Sequence, residues 1–312
     1  RLVVSTQAVR HNAQRIQEIA GDSRVIAVVK GNGYGMGLIP FATLLADCGI
    51  TYFAVAALEE GIKLRQGGIT QPILLLSPVS DEEEATALIQ NHITATVGSV
   101  ENAALLSQVG QQLAQQVTCH LKLDTGFGRY GFEEDQQEEM VQAVRGFPYL
   151  MYEGVFTHLS DSFGKTDDHV KAQYQCFVRV LESLAKQGVT FGMRHIANSC
   201  GTLRFPYLRL EAVRVGSAFL GRLPTGIPVG LQRVGYLENK INAIRQLPAG
   251  HNIGYANLFT TKRPTTVAVI QTGYIDGLRV AKLPDTYRFK DILRYTWQNV
   301  KLMGKPAVQV EI

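Results

Sequence analysis

The chain has 312 residues, 46% hydrophobic and 19% charged, which is enough for a substantial core and about two domains and excludes disorder and fibrous repeats. Lys plus Arg number 31 against 27 Asp plus Glu, a net charge of +4 that is too small and too dispersed for a nucleic-acid track but suits a small anionic ligand. Cys48, Cys119, Cys176 and Cys200 form no CxxC pair, which argues against a zinc site or a disulfide framework and for a reducing, cytoplasmic compartment, and no apolar run suggests membrane contact from these residues.

In chain order, short and mostly β-branched runs fall at Val25–Val29, Tyr52–Ala56, Ile73–Leu76, Ile93–Val97, Val117–Leu123, Gly154–Thr157, Arg194–Ala197 and Ala212–Val215. Unbroken apolar runs of this kind fit strands buried on both faces. Between them lie segments of helical period, among them Ala8–Ala20, Leu58–Gly67, Asp81–Asn91, Glu133–Arg145 and Asp167–Lys186. Around eight βα units in about 220 residues favour a (β/α)8 TIM barrel over a doubly wound sheet. From Ile227 the pattern changes to short runs (Thr265–Ile270, Val300–Met303, Ala307–Ile312) separated by Gly, Pro and polar turns, as in a β-rich domain. Pro224, Gly226 and Pro228 mark a hinge, so the expected division is a barrel over 1–225 and a β-rich domain over 226–312. The strand-like ending at Ile312 leads us to expect that the second domain is incomplete there.

A parallel barrel carries its chemistry at the carboxyl ends of its strands. Val25–Val29 runs into Lys30, Val117–Leu123 into Asp124 and Arg129, Gly154–Thr157 into His158, Arg194–Ala197 into Asn198 and Ser199, and Ala212–Val215 carries Arg214 before Gly216 and Ser217. At an apolar strand end, desolvation would lower the Lys30 pKa and free its amine as a nucleophile, although position alone favours a snorkelling lysine. Asn198, Ser199, Gly216 and Ser217 have the hydroxyl and backbone donors that a phosphate needs, or they are helix caps. His158 reads as a site residue or as a satisfied core histidine. Arg129 and Arg214 in apolar surroundings require partners. Gly31-Asn32-Gly33-Tyr34-Gly35-Met36-Gly37 allows close backbone approach to a ligand but is not a GxGxxG nucleotide loop.

Read together, these segments resemble the bacterial alanine racemase family, a pyridoxal-phosphate (PLP) family built as a barrel plus a β domain. The resemblance is carried by Ala27–Gly35 (AVVKGNGYG), Phe53–Glu60 (FAVAALEE), His120–Arg129 (HLKLDTGFGR), Thr157-His158, His195–Ser199 (HIANS), Arg214-Val215-Gly216, Ile253-Gly254-Tyr255 and Gly273–Gly277 (GYIDG), in family order over nearly the whole chain. It implies that Lys30 bears PLP and is the base on one face of the substrate, with Tyr255 the base on the other face, supplied across a homodimer interface. Inversion at Cα needs one such group on each side. Tyr34, Asn198, Ser199, Gly216 and Ser217 would hold the cofactor phosphate region, His158 would lie near the ring, and Arg214 would face the pyridine nitrogen and disfavour its protonation. Arg129 would contact the cofactor phenolate oxygen and the substrate carboxylate, Tyr274 would lie in the substrate entry or carboxylate region, and Lys122, carbamylated in many relatives, would steady Arg129. The implied activity is interconversion of L- and D-alanine, with a racemase for serine or another small amino acid, a non-catalytic PLP-binding relative, or a decarboxylase or aldolase of the same fold type as alternatives. This chain departs from the family pattern at Gly31, Gly33 and Met36, where Ala, Ala and His are usual, and the two glycines are expected to loosen the loop.

Overall fold

A computed structural model describes residues 1–164, 166–222, 228–254, 257 and 259–273. It divides into two units, one from Val4 to Tyr236 and one comprising Arg1–Val3 with the residues from Leu237 onward. The expected hinge at 223–227 lies outside the described residues, as do the expected strands Val300–Met303 and Ala307–Ile312.

The larger unit is a (β/α)8 barrel. Its strands are β1 (Arg24–Val28), β2 (Tyr52–Val55), β3 (Ile73–Leu75), β4 (Ala95–Val97), β5 (Val117–Lys122), β6 (Leu150–Phe156), β7 (Met193–His195) and β8 (Ala212–Val215). All neighbouring pairs within its two four-stranded sheets are parallel, in the orders β3-β2-β1-β8 and β4-β5-β6-β7. Two seams close the ring. Thr94 N–H donates to Ile73 and its carbonyl accepts from Leu75, joining β3 to the residue before β4, and Arg214 N–H donates to Ala197 just beyond β7 at 2.9 Å.

Alternate side chains divide the core into two layers. Ile26, Val28, Tyr52, Ala54, Leu74, Phe156, Met193 and Ala212 pack together, while the intervening Val25, Ala27, Phe53, Val55, Ile73 and Leu75 join the larger cluster that includes Ile16, Leu45, Leu64, Leu88, Leu106, Phe177 and Leu184 of the helices. Strands apolar on both faces therefore read as unbroken runs, and each fully buried Leu, Ile or Phe contributes roughly 1.5–3 kcal/mol. The helix starts are fixed locally: Ser5, Asp81 and Ser99 accept from the N–H groups of Ala8, Glu84 and Asn102. Two helices that the periodicity did not single out, Leu38–Asp47 and Val100–Gln112, complete the outer layer. Strand β6 begins at Leu150, ahead of the expected Gly154, because its first turns project beyond the apolar interior and carry the exposed Met151 and half-buried Glu153.

In the smaller unit, Ile241–Leu247 and Thr265–Ile270 pair antiparallel from Leu247 opposite Thr265 to Ile241 opposite Ile270, with an irregularity between Ile241 and Ala243. Asn252–Ile253 pairs with Phe259–Thr260. The Thr261 hydroxyl braces the base of this hairpin, donating to the Pro248 carbonyl at 2.6 Å and accepting from His251 N–H at 2.9 Å.

Candidate active site

At the carboxyl ends of the strands the barrel opens into a cavity of about 340 Å³, lined by Lys30, Tyr34, Lys122, Arg129, His158, Asn198, Ser199, Arg214, Gly216 and Ser217 together with the apolar Val28, Leu76, Phe127 and Phe156. Ten residues singled out from sequence thus meet in one place. Tyr255 and Tyr274 lie outside the described residues. Among the lining residues there is no carboxylate.

Lys30 stands two residues past the end of β1 and is exposed, not buried as its position after an apolar run suggested. The chain then turns through a left-handed segment, with φ of 64° at Gly31, 53° at Asn32, 64° at Gly33, 55° at Tyr34 and 86° at Gly35. Glycine adopts this backbone without the Cβ strain that alanine would carry. Gly31 and Gly33 therefore relieve the loop rather than loosen it. Asn32 fastens it, its Oδ1 accepting from Leu38 N–H at 2.9 Å while its own N–H donates to Glu60 Oε1 at 3.1 Å.

This turn aims the Tyr34 hydroxyl at Gly216, where a Cβ would collide with it. Ser199 Oγ accepts the Gly216 N–H at 2.9 Å and the Ala218 N–H at 3.4 Å, which leaves the serine proton free to donate outward. Asn198 caps the short helix Ser199–Arg204 through Gly201 N–H at 2.8 Å and also meets the Ser162 hydroxyl. Two hydroxyls and a bare Cα thus form a cradle into which an anion can settle.

Arg214 is 3% exposed and has no carboxylate partner among the described residues. Its Nη1 donates to His195 Nδ1 at 2.8 Å and to the His195 carbonyl at 3.0 Å, and its Nη2 donates to the Thr157 carbonyl at 2.7 Å and approaches His158 Nδ1 at 3.3 Å. No hydrogen bond to a described residue runs from Nε. Burial pulls the guanidinium down to about 9. Burial first, then the charges of Arg214, Lys122, Arg129 and Lys30, lower His158 to about 3, so its imidazole is neutral near neutral pH. Lys122, buried at the end of β5 with its Nζ donating to the Leu123 carbonyl, is lowered to about 7 by burial and by Arg214 and Arg129.

The Asp124 carboxylate shapes the next loop. Oδ1 accepts from Gly126 and Phe127 N–H at 2.9 and 2.8 Å, and Oδ2 from Gly128 and Arg129 at 2.8 and 3.0 Å. Burial works to raise its pKa, but the four donors outweigh that and leave it lowered. The loop delivers Arg129 to the cavity, where its guanidinium lies over the Phe127 and Tyr130 rings at 4.6 and 4.7 Å.

A barrel whose strand-end cavity gathers two lysines, two arginines and a hydroxyl cradle suits an anionic ligand, with lysine amines in its wall. The alanine racemase N-terminal domain matches residues 4–224 and the alanine racemase C-terminal domain residues 234–292. The chain belongs to the alanine racemase family. An alanine racemase of Desulforamulus reducens is 35% identical over 280 residues, covering 88% of this chain and 75% of the relative. The solved alanine racemase of Clostridium difficile 630 superposes with a TM-score of 0.84 at 30% identity, over 89% of this chain and 74% of that one, and that of Bacillus anthracis, solved with bound L-Ala-P, at 0.81 and 32%, over 88% and 73%. The family is PLP-dependent, and the residues present fit that group: a hydroxyl cradle for its phosphate, a lysine on the cavity wall, and Lys122, Arg129 and Arg214 as further cations in the lining.

In the sequence His120 and His195 stand only as parts of the HLKLDTGFGR and HIANS segments, and nothing there marks Tyr52 or Glu153. All four belong to a polar column inside the barrel. The available signal was periodicity: His120 stands two residues before Lys122 on one strand, and residues i and i+2 share a face.

Proposed function

We propose that this chain is a PLP-dependent alanine racemase that interconverts L- and D-alanine, with Lys30 and Tyr255 acting on opposite faces of Cα. The observation that carries this reading is the convergence of Lys30, the Tyr34–Ser199–Gly216 cradle and Arg214 in one cavity that has no carboxylate in its lining. When bound, PLP withdraws electrons from the amino acid's Cα–H bond and so acidifies that proton. Lys30 bears the cofactor in the resting enzyme and takes or returns the Cα proton on one face. The Ser199 and Tyr34 hydroxyls donate to phosphate oxygens beside Gly216 and Ser217. Arg214 presents a donor that does not give up its proton to a pyridine nitrogen, which keeps electron withdrawal moderate and limits side reactions. Arg129 pairs with the substrate carboxylate. Tyr255 of a second copy of this chain supplies the other base, so the active species is a homodimer. Its setting is the bacterial cytoplasm, where D-alanine feeds peptidoglycan synthesis; among the described residues no helix is long and apolar enough to cross a membrane.

Deuterium incorporation tests the two roles. Tyr255→Phe should lose proton abstraction mainly from L-alanine while keeping measurable exchange from D-alanine. Equal residual exchange from both enantiomers would contradict the assignment.

Lys122 is the position for carbamylation. With a pKa near 7 its amine is about half unprotonated at neutral pH, so nitrogen attacks the carbon of CO2, an N–C bond forms as one C=O pair moves to oxygen, and the amine proton leaves to solvent. The product turns a buried cation into an anion beside Arg129. Depleting CO2 should lower activity and bicarbonate should restore it, with mass spectrometry showing the adduct on Lys122. Activity indifferent to CO2 would count against this step.

Gly216→Ala should weaken PLP binding at least about tenfold, because the added methyl displaces the Tyr34 hydroxyl from the cradle. Titration of the cofactor-free protein with PLP reads this directly.

A further inference from the structure

A chain of side chains runs through the barrel interior toward its amino end, and the reaction described above does not use it. Arg214 Nη1 donates to His195 Nδ1 at 2.8 Å, His195 Nε2 lies 2.8 Å from His120 Nδ1, and His120 Nε2 faces the Tyr52 hydroxyl at 3.3 Å and Glu153 Oε2 at 3.6 Å. Tyr52 also donates to Glu153 Oε2, at 3.2 Å. His120 and His195 are fully buried, whereas the Glu153 side chain is 34% exposed at the opposite end of the barrel from the cofactor cavity. Gly154 makes room for the column, since a Cβ there would collide with the His120 ring.

The chemistry of the two ends fixes the direction of every bond. A guanidinium only donates, so His195 Nδ1 must accept and a neutral His195 carries its proton on Nε2. That proton is given to His120 Nδ1, which leaves the His120 proton on Nε2, aimed at Tyr52 and Glu153. An ionised carboxylate only accepts, so Glu153 takes the Tyr52 O–H proton at 3.2 Å and leaves the Tyr52 oxygen to accept from His120 Nε2–H at 3.3 Å, which is the same direction. Burial, with the charge of Arg214, pushes both imidazoles below their ordinary pKa, which favours the neutral form, and the neighbouring His120 is the first cause of the lowered pKa of Glu153. The column is thus a one-way relay from a buried cation with no carboxylate against it to a carboxylate at the far end of the barrel.

We propose that Glu153 is a positioning residue: as the accepting terminus of this relay it fixes His120 and His195 as Nε2–H tautomers and keeps the His195 Nδ1 lone pair on the Arg214 guanidinium in the cofactor cavity. The kinetic consequence rests on the racemase reading, whereas the tautomers do not.

The test is a long-range proton–nitrogen correlation spectrum of histidine-labelled, cofactor-free protein, together with steady-state kinetics of the PLP-loaded enzyme. The wild type should show both buried imidazoles as neutral Nε2–H tautomers. Glu153→Ala frees the Tyr52 O–H to donate to His120 Nε2 against the direction set by Arg214, and so should give mixed tautomers and lower kcat about tenfold with KM changed less than twofold. Glu153→Gln keeps an accepting oxygen and should restore the single tautomer and recover kcat to within about threefold of wild type. An Nδ1–H tautomer or a protonated ring at either position in the wild type overturns the proposal whether or not the alanine variant folds. So does an alanine variant with unchanged tautomers and unchanged kcat. A protein that shows the tautomer shift but does not racemise alanine upholds the relay and overturns only the functional reading.

Discussion

Lys30→Ala is expected to abolish racemisation, with a loss of at least about 10³-fold, and to remove the visible absorption band of the lysine-bound cofactor while leaving the fold intact. The fold survives because Lys30 is exposed and makes no side-chain hydrogen bond to the described residues, so no buried group loses a partner. The loss is large because the proposed mechanism gives one side chain two duties, bearing the cofactor and moving the Cα proton. The predicted pattern is unchanged thermal stability of the cofactor-free protein, no visible band on adding PLP, and no exchange of the Cα proton from either enantiomer. A variant that kept the band would displace Lys30 from the centre of the mechanism.

Arg214→Met is expected to damage both stability and chemistry. Removing the guanidinium leaves His195 Nδ1 and the carbonyls of His195 and Thr157 without their donor. An orphaned buried acceptor costs about 1–3 kcal/mol, and losing a desolvated cation offsets part of the total, so a net loss of about 2–4 kcal/mol and a melting temperature lower by roughly 5–15 °C are expected. Arg214→Lys should rescue little, because one ammonium cannot span His195 on one side and Thr157 on the other. In chemistry, the variant should release the restraint on pyridine protonation and show side reactions such as transamination. Melting curves and product analysis after long incubation check the two halves separately.

Much of the site was legible in the sequence because a parallel barrel places strand-end residues together. Lys30 and His158 stand two residues past the ends of their strands and Asn198 three, and the fold does the rest. Other features were not legible for physical reasons. Desolvation of Lys30 was inferred from its apolar neighbours in sequence, but those side chains divide between the inner and outer layers while Lys30 emerges beyond both. The left-handed turn from Gly31 to Gly35 could not be read from glycines that permit it without requiring it. The relay from Arg214 to Glu153 joins residues 61 positions apart through His195 and His120, and no local pattern announces such a column. Helix Leu38–Asp47 is not legible because apolar residues also occupy its exposed face, at Ile39 and Pro40, so no polar stripe gives it period.

The central claim is tested most directly by supplying the PLP-loaded protein with L-alanine and, separately, D-alanine in deuterated water, and following both optical rotation and deuterium at Cα. The account predicts that each enantiomer converts to the other, that the product carries deuterium at Cα, and that both reactions approach an equal mixture. Bound cofactor with a visible band, but no inversion of alanine and no deuterium at Cα, would contradict it.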